Sequence, residues 1–148
     1  AEISRLAVSK GAHPLTLAPA IAAINEMKRL NINQRAKEMG AYLGEKLHAL
    51  KSKHKSIGEV RGIGMFWALE LVKNQQTKEP FNTKADKVEG KPLVVDKVAA
   101  EMMKNGVFIQ AWISHFVVAP PLIISREEVD SGIAALDAAL GIADENVV

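Results

Sequence analysis

The chain has 148 residues, of which 48% are hydrophobic and 24% are charged, so it is long enough for one domain with a core and is not composed like a disordered or fibrous protein. Lysine and arginine total 19 and the acidic residues 17, and a net charge of +2 gives no strong field for nucleic acid or anionic lipid. The absence of cysteine excludes a disulfide scaffold, a thiol nucleophile and cysteine-ligated metals.

Two helices are predicted in the first third of the chain. Apolar residues recur at helical spacing from Leu15 to Leu30, which predicts a mostly buried helix. Pro19 is expected to kink this helix or to shift its start. With Asn31 or Asn33 as its cap, a second apolar stripe from Ala36 to Leu50 predicts another helix.

The middle of the chain changes in character after a basic run. Lys51 to Lys55 is interpreted as the solvated end of the second helix rather than as an anion site. The segment IGEVRGIGMFWALELV then combines glycines with β-favouring residues and predicts two strands or one bent strand. The polar segment from Lys73 to Lys91 predicts a long surface loop.

A helix and a hairpin are predicted next. Apolar residues at helical spacing from Leu93 to Lys104 predict a helix, which Asn105-Gly106 ends. Two short β-favouring segments, Val107 to Trp112 and His115 to Val118, predict an antiparallel hairpin.

The last predicted element is a helix that starts at a capping box. Ser125 with Glu128 forms the box, an apolar stripe from Val129 to Leu140 follows, and Gly141 is expected to end the helix before a loose tail. The order of elements predicts an α+β fold, a small antiparallel or mixed sheet covered by helices.

Two patterns in the strand region have structural interpretations. Gly62-Ile63-Gly64 lacks the third glycine and the following helix of a phosphate-binding loop, so a tight turn or bulge is favoured. Glu70 stands in an apolar stretch, where an ionised carboxylate needs an outward-facing position or a partner. Arg61 is the nearest candidate partner in the sequence.

Other kinds of site have little support. The four histidines lack the spacing of metal ligands, so no metal site is predicted: His13, His48, His54 and His115. The sequence has no nucleophile-elbow pattern, so it gives no reason to predict a hydrolase. No apolar run reaches the roughly 18 to 20 residues of a membrane span, and the cytoplasm is the default location.

Four segments taken in order resemble the C-terminal part of class III aminotransferases, which are fold-type I enzymes that use pyridoxal 5'-phosphate (PLP). They are HPLTLAPAIAAI, EVRGIGMFWALELV, NGVFIQ and APPLIISREEVDSGIAALDAAL. The resemblance runs from about His13 to Leu140. The ending is similar to that of the taurine:pyruvate and omega-amino acid branches.

The resemblance implies a dimeric PLP enzyme that moves an amino group from an amine or omega-amino acid donor to a 2-oxo acid such as pyruvate. It also implies that the Schiff-base lysine and the aspartate on the pyridine nitrogen lie upstream of His13-Pro14. Residues 1–148 would then form one C-terminal domain, with residues 1–30 leading in from a missing large domain. We therefore expect no catalytic residue in this chain, and no activity from the chain alone.

The chain departs from the family pattern at two places. A threonine shortly before the glycine-histidine-proline motif binds the cofactor phosphate of the neighbouring subunit, and here Ser9 keeps the hydroxyl while Ala12 replaces the glycine. Many members have an arginine for the substrate carboxylate just before APPL. This chain has Phe116, Val117 and Val118 there, and valine cannot form the paired hydrogen bonds of a guanidinium.

Two rival interpretations stay open on the sequence. One is a stand-alone α+β interaction or ligand-sensing domain without catalysis. The other is a related aminomutase, which would share this ending and differ upstream. The reading frame before Ala1 separates the first rival from the enzyme, because only the enzyme continues upstream into a cofactor-binding domain.

Overall fold

A computed structural model describes residues 14–148, with side chains from Leu17 onward. The chain divides into two units, Ala1–Arg35 and Ala36–Val148. Helix α1 spans Pro14–Arg29, and helix α2, Ile32–Lys53, begins in the first unit and continues into the second. Both predicted helices are confirmed, and Pro19 lies inside α1.

The prediction that α1 is mostly buried is wrong for its described side chains. Its apolar residues are largely exposed, and Ile21 exposes 60% of its surface. A helical period shows that one face suits burial, but it does not say which part of which polypeptide covers that face.

The second unit contains five short strands. They are β1, Ile57–Ile63; β2, Phe66–Asn74; β3, Glu79–Pro80; β4, Gln110–Trp112; and β5, His115–Val118. Four of them form a sheet in the order β1-β2-β5-β4, and β3 pairs with β2. Every pairing is antiparallel, so the predicted α+β fold is confirmed and its sheet is antiparallel rather than mixed.

Three helices complete the second unit: α3, Lys84–Val88; α4, Val94–Lys104; and α5, Arg126–Asp144. The prediction of a long surface loop from Lys73 to Lys91 is wrong in part, because β3 and α3 lie within this segment. Thr83 and Asp86 form a capping box at the start of α3. This local hydrogen bonding orders a segment that has too few apolar residues to show a periodic pattern.

The predicted capping box of α5 is confirmed, because Ser125 accepts from the Glu128 backbone and Glu128 accepts from that of Ser125. The prediction that Gly141 ends the helix is wrong, since α5 continues to Asp144. The tail is also not loose throughout, because the N–H of Val148 donates to the carbonyl of Lys73 at 2.8 Å. Tertiary contacts therefore extend this end of the chain beyond its local stop signal.

The core of the second unit lies between one face of the sheet and helices α2, α4 and α5. Val60, Leu69 and Phe116 lie opposite one another on β1, β2 and β5 and are all buried. The helices contribute Leu43, Leu47, Val98, Met102, Leu136 and Leu140.

The hairpin between β1 and β2 lies directly against α2. Ile63 pairs with Phe66, so Gly64 and Met65 form a two-residue turn, and Gly64 has a φ of +54°. A Cβ added at Gly40 of α2 would lie 2.3 Å from the carbonyl oxygen of Gly64. The indole N–H of Trp67 donates to that oxygen at 2.7 Å. The missing side chain at Gly40 therefore lets the turn approach the helix.

Candidate functional site

A cavity with a volume of about 540 Å³ lies within the second unit. Its walls come from α2, the end of α4, the segment before β4, the end of β5 and the first half of α5. The walls are mainly apolar and include Leu43, Leu47, Met102, Val107, Ile109, Val129, Ile133 and Leu136. This size is within the usual range for small-molecule sites.

Polar groups in this cavity are few. Gln110, Glu128 and Ser131 are among the lining residues, and the side chain of Glu128 is already used in the capping box of α5. None of the lining residues is a lysine. The cavity can therefore enclose apolar groups, but it does not fit the covalent attachment of a carbonyl cofactor.

The face of the sheet opposite the core carries an ionic cluster. Glu59, Glu70, His115 and Trp112 lie opposite one another across the four strands. Arg61 donates to Glu59 at 2.9 Å and to Glu70 at 2.8 Å, which confirms the predicted pairing of Arg61 with Glu70. Side chains directly opposite on antiparallel strands share a face, so this cluster follows from the register of the strands.

The cluster changes the pKa values of its members. The hydrogen bond from Arg61 lowers the pKa of Glu70, and partial burial opposes this effect. The hydrogen bond to Glu70 raises the pKa of Arg61. Because Arg61 already contacts two carboxylates, it is poorly suited to bind the acid group of a substrate as well.

Removing the Arg61–Glu70 ion pair is expected to change stability little. The two side chains are 50% and 38% exposed, and solvent screens such pairs to a coupling of about 0.2–1 kcal/mol. A double-mutant cycle with Arg61→Gln and Glu70→Gln, followed by urea unfolding at low and high salt, measures this coupling. A coupling of about 2 kcal/mol or more that salt does not reduce would show that the pair is shielded from water.

The two most specific sequence motifs lie at the same end of the sheet. Gly62 pairs with Trp67, which pairs in turn with Val118, the last residue of β5. The segment Ala119 to Ile124 continues from this point and reaches the capping box of α5. The RGIG turn and the APPLII segment therefore lie at the same end of the sheet, with β2 between their strands, although they are more than 50 positions apart in the sequence.

A comparison with known families decides the relationship. The family-wide pattern described as "Aminotransferase class-III" matches residues 6–140. This chain is a class III aminotransferase sequence.

Individual relatives agree with this assignment. An uncharacterized aminotransferase of Schizosaccharomyces pombe is 38% identical over 133 residues, which are 84% of this chain and 28% of that protein. The leucine/methionine racemase of Thermococcus litoralis is 30% identical over 136 residues, or 92% of this chain and 29% of the racemase.

A solved structure extends the likeness to the fold. The taurine:2-oxoglutarate aminotransferase of Bifidobacterium kashiwanohense, in complex with PLP and glutamate, superposes with a TM-score of 0.76 at 31% identity. The match covers 92% of this chain and 30% of that one. The predicted fold-type I relationship is confirmed, and PLP is the cofactor of this family. The chain thus spans under a third of the length of the relatives compared with it.

The predicted site residues are only partly visible. Ser9, proposed for the cofactor phosphate, and His13 of the histidine-proline motif lie outside the described residues. Many family members have an arginine just before the APPL segment. In this chain Phe116 of that region is buried in the core, and Val117 and Val118 line the cavity.

Sequence reasoning missed three contacts that involve charged or polar side chains. His54 was placed in a solvated helix end, and that interpretation is wrong for this residue, which is buried and contacts Asp137 and Asp144. The ammonium group of Lys87 lies 3.9 Å from the centre of the Trp112 ring. The partners are 25 to 90 positions apart, so no local pattern could reveal them.

Two further observations apply to residues 14–148 alone. No helix in that range is long and apolar enough to cross a membrane. No group of three or more histidine, aspartate or glutamate side chains there is arranged to hold a metal ion.

Proposed function

We propose that this chain is the C-terminal part of a PLP-dependent aminotransferase, which transfers an amino group from an amine or omega-amino acid to a 2-oxo acid such as pyruvate. The family match over residues 6–140 carries the proposal. The likeness to a taurine aminotransferase in complex with PLP and glutamate supports the substrate class. We assign the enzyme to the cytoplasm by default.

The parent enzyme would hold its cofactor with a lysine that precedes Ala1. The absence of lysine from the cavity lining supports this, since a cofactor-binding lysine needs desolvation or a nearby cation. Several lysines instead pair with carboxylates at exposed positions, among them Lys53, Lys73 and Lys104. PLP would supply the electron sink for the reaction, and this chain would supply part of the pocket wall.

We also propose that the intact enzyme is a homodimer. In this arrangement Ser9 would donate its hydroxyl to the cofactor phosphate bound in the neighbouring subunit. The proposal rests on the family resemblance of the segment SKGAHP, in which Ser9 keeps a hydroxyl group.

Mixing the purified chain with PLP is expected to give no stable covalent complex at a single lysine. After borohydride reduction, peptide mass spectrometry should find only sparse labelling spread over exposed lysines, because no lysine of the described residues lines the cavity. Stoichiometric labelling of one lysine, abolished when that lysine is replaced by arginine, would contradict our assignment of the cofactor-binding lysine.

The aminotransferase activity is tested on the protein encoded by the full reading frame. The protein that includes the codons upstream of Ala1 is expected to form alanine from pyruvate with an amine donor. Replacing its upstream cofactor-binding lysine by alanine should abolish the activity. A start codon directly before Ala1 would instead favour the stand-alone binding domain.

A second candidate function is racemisation of an amino acid on the same cofactor. The 30% identity to a leucine/methionine racemase over 92% of the chain supports this second function. Chiral analysis of an amino acid incubated with the full protein in the absence of a 2-oxo acid distinguishes the two. A racemase converts the enantiomer without an acceptor, whereas an aminotransferase does not turn over.

A further inference from the structure

Asn105 is the only one of the chain's seven asparagines that is followed by glycine. It is the C-cap of α4, and both Asn105 and Gly106 are exposed to solvent. The backbone nitrogen of the next residue can attack an asparagine side chain, and glycine permits this best because it has no Cβ and the widest range of backbone angles. The pair that stops the helix is therefore also chemically reactive, and the proposed function makes no use of it.

The folded chain holds this pair away from the geometry of attack. Nδ2 of Asn105 donates to the carbonyl of Glu101 at 3.0 Å, and the N–H of Gly106 donates to the carbonyl of Met103 at 3.0 Å. With a ψ of 15°, Asn105 turns the nitrogen of Gly106 away from its own side chain. Attack therefore requires the last turn of α4 to open, and fraying helix ends open at a low cost in free energy.

We propose that Asn105 is a site of spontaneous deamidation, gated by opening of the last turn of α4. In the open turn the nitrogen of Gly106 gives up its proton and attacks Cγ of Asn105. The new N–C bond closes a succinimide ring, the Cγ–Nδ2 bond breaks, and the side-chain nitrogen leaves with that proton as ammonia. One water molecule then opens the ring. Cleavage of the N–Cγ bond gives aspartate, and cleavage of the bond to the main-chain carbonyl carbon gives isoaspartate.

Either product changes the end of α4. A carboxylate there lies at the negative end of the helix dipole, and it cannot replace the donor that Asn105 offers to the carbonyl of Glu101. Isoaspartate also lengthens the main chain by one methylene group. Gly106 and Val107 line the cavity, so the longer backbone displaces part of its wall. The site is independent of the aminotransferase assignment, because all its reacting groups belong to this chain.

Asn146 is a matched comparison within the same molecule. It is exposed and lies just after the end of α5. Its N–H donates to the carbonyl of Ala143 at 3.0 Å, and its Nδ2 donates to the carbonyl of Ile142 at 2.7 Å, the same arrangement that Asn105 has at the end of α4. The next residue is Val147, whose branched side chain hinders attack by its backbone nitrogen. The two sites therefore differ mainly in the residue that follows the asparagine.

The test incubates the full chain at mildly alkaline pH, folded in buffer and unfolded in guanidinium chloride, and follows both asparagines by peptide mass spectrometry. In the folded chain Asn105 should be converted while Asn146 stays intact. Unfolding should accelerate conversion at Asn105 by roughly tenfold or more, because the reaction no longer waits for the turn to open. Equal conversion of the two asparagines in the folded chain would overturn the proposal, as would a rate at Asn105 that unfolding leaves unchanged.

Two variants assign the site and its effect. Asn105→Gln should remove the mass change from this peptide, since the longer side chain closes a ring far more slowly. Persistence of the mass change in this variant would place the reaction elsewhere and refute the assignment. Asn105→Asp reproduces one product and should melt roughly 1–4 °C below the wild-type chain. A variant that melts together with the wild-type chain would contradict the expected damage to the end of α4.

Discussion

Replacing Gly40 with alanine is expected to lower the free energy of unfolding by about 2 kcal/mol. The new Cβ would lie 2.3 Å from the carbonyl oxygen of Gly64 and 2.4 Å from its carbonyl carbon. These are backbone atoms of a tight turn, so α2 and the β1–β2 hairpin must move apart. Overpacking of this kind costs about 3 kcal/mol, and the better helix propensity of alanine offsets about 1 kcal/mol of it. Urea unfolding measures the difference.

The matched control is Gly141→Ala, the same substitution inside a different helix. Nothing lies within 4 Å of a Cβ at Gly141, so only the gain in helix propensity remains. This variant should be more stable than the wild-type chain by about 0.5–1 kcal/mol. If Gly40→Ala were stabilised by the same amount, the close approach of the turn to α2 would be refuted.

Replacing Phe116 with alanine is expected to destabilise the chain even more, by about 3–5 kcal/mol. Phe116 has no exposed surface, and it lies on β5 opposite Leu69 of β2. Truncation removes the buried ring and leaves a cavity that the surrounding strands cannot fill. Because small domains have only about 5–15 kcal/mol of total stability, thermal unfolding should detect a large fall in the melting temperature.

Phe66→Ala provides the comparison within the same sheet. Phe66 is also a strand phenylalanine, but 61% of its surface is exposed. Its truncation should therefore change the free energy of unfolding by no more than about 0.5 kcal/mol. Equal losses from the two variants would mean that the helices do not cover the face of the sheet that carries Phe116.

Much of the fold follows from local patterns. The stripe from Leu93 to Lys104 predicted α4 to within one residue, and the capping box of Ser125 and Glu128 marked the start of α5. Both patterns depend on residues three or four positions apart, which contact each other as soon as a helix forms. The β4–β5 hairpin likewise joins adjacent segments.

The candidate site is harder to predict from the sequence than the fold is. Arg61 and Glu70 could be paired because one turn separates their strands. The cavity joins residues from Leu43 to Leu136, and it exists only after α2, the sheet and α5 have packed. No pattern of nearby residues describes that arrangement, because its volume depends on the distances between elements.

The sequence by itself determined the aminotransferase family, the start signals of individual helices and the type of every element except β3 and α3. Only the tertiary structure decided that α1 exposes its apolar stripe, that α5 continues past Gly141 and that His54 is buried between two carboxylates. The physical reason is the sequence distance over which each interaction acts. Propensity, capping and turn formation act between neighbours along the chain, whereas burial and the pairing of charges depend on partners that only folding brings together.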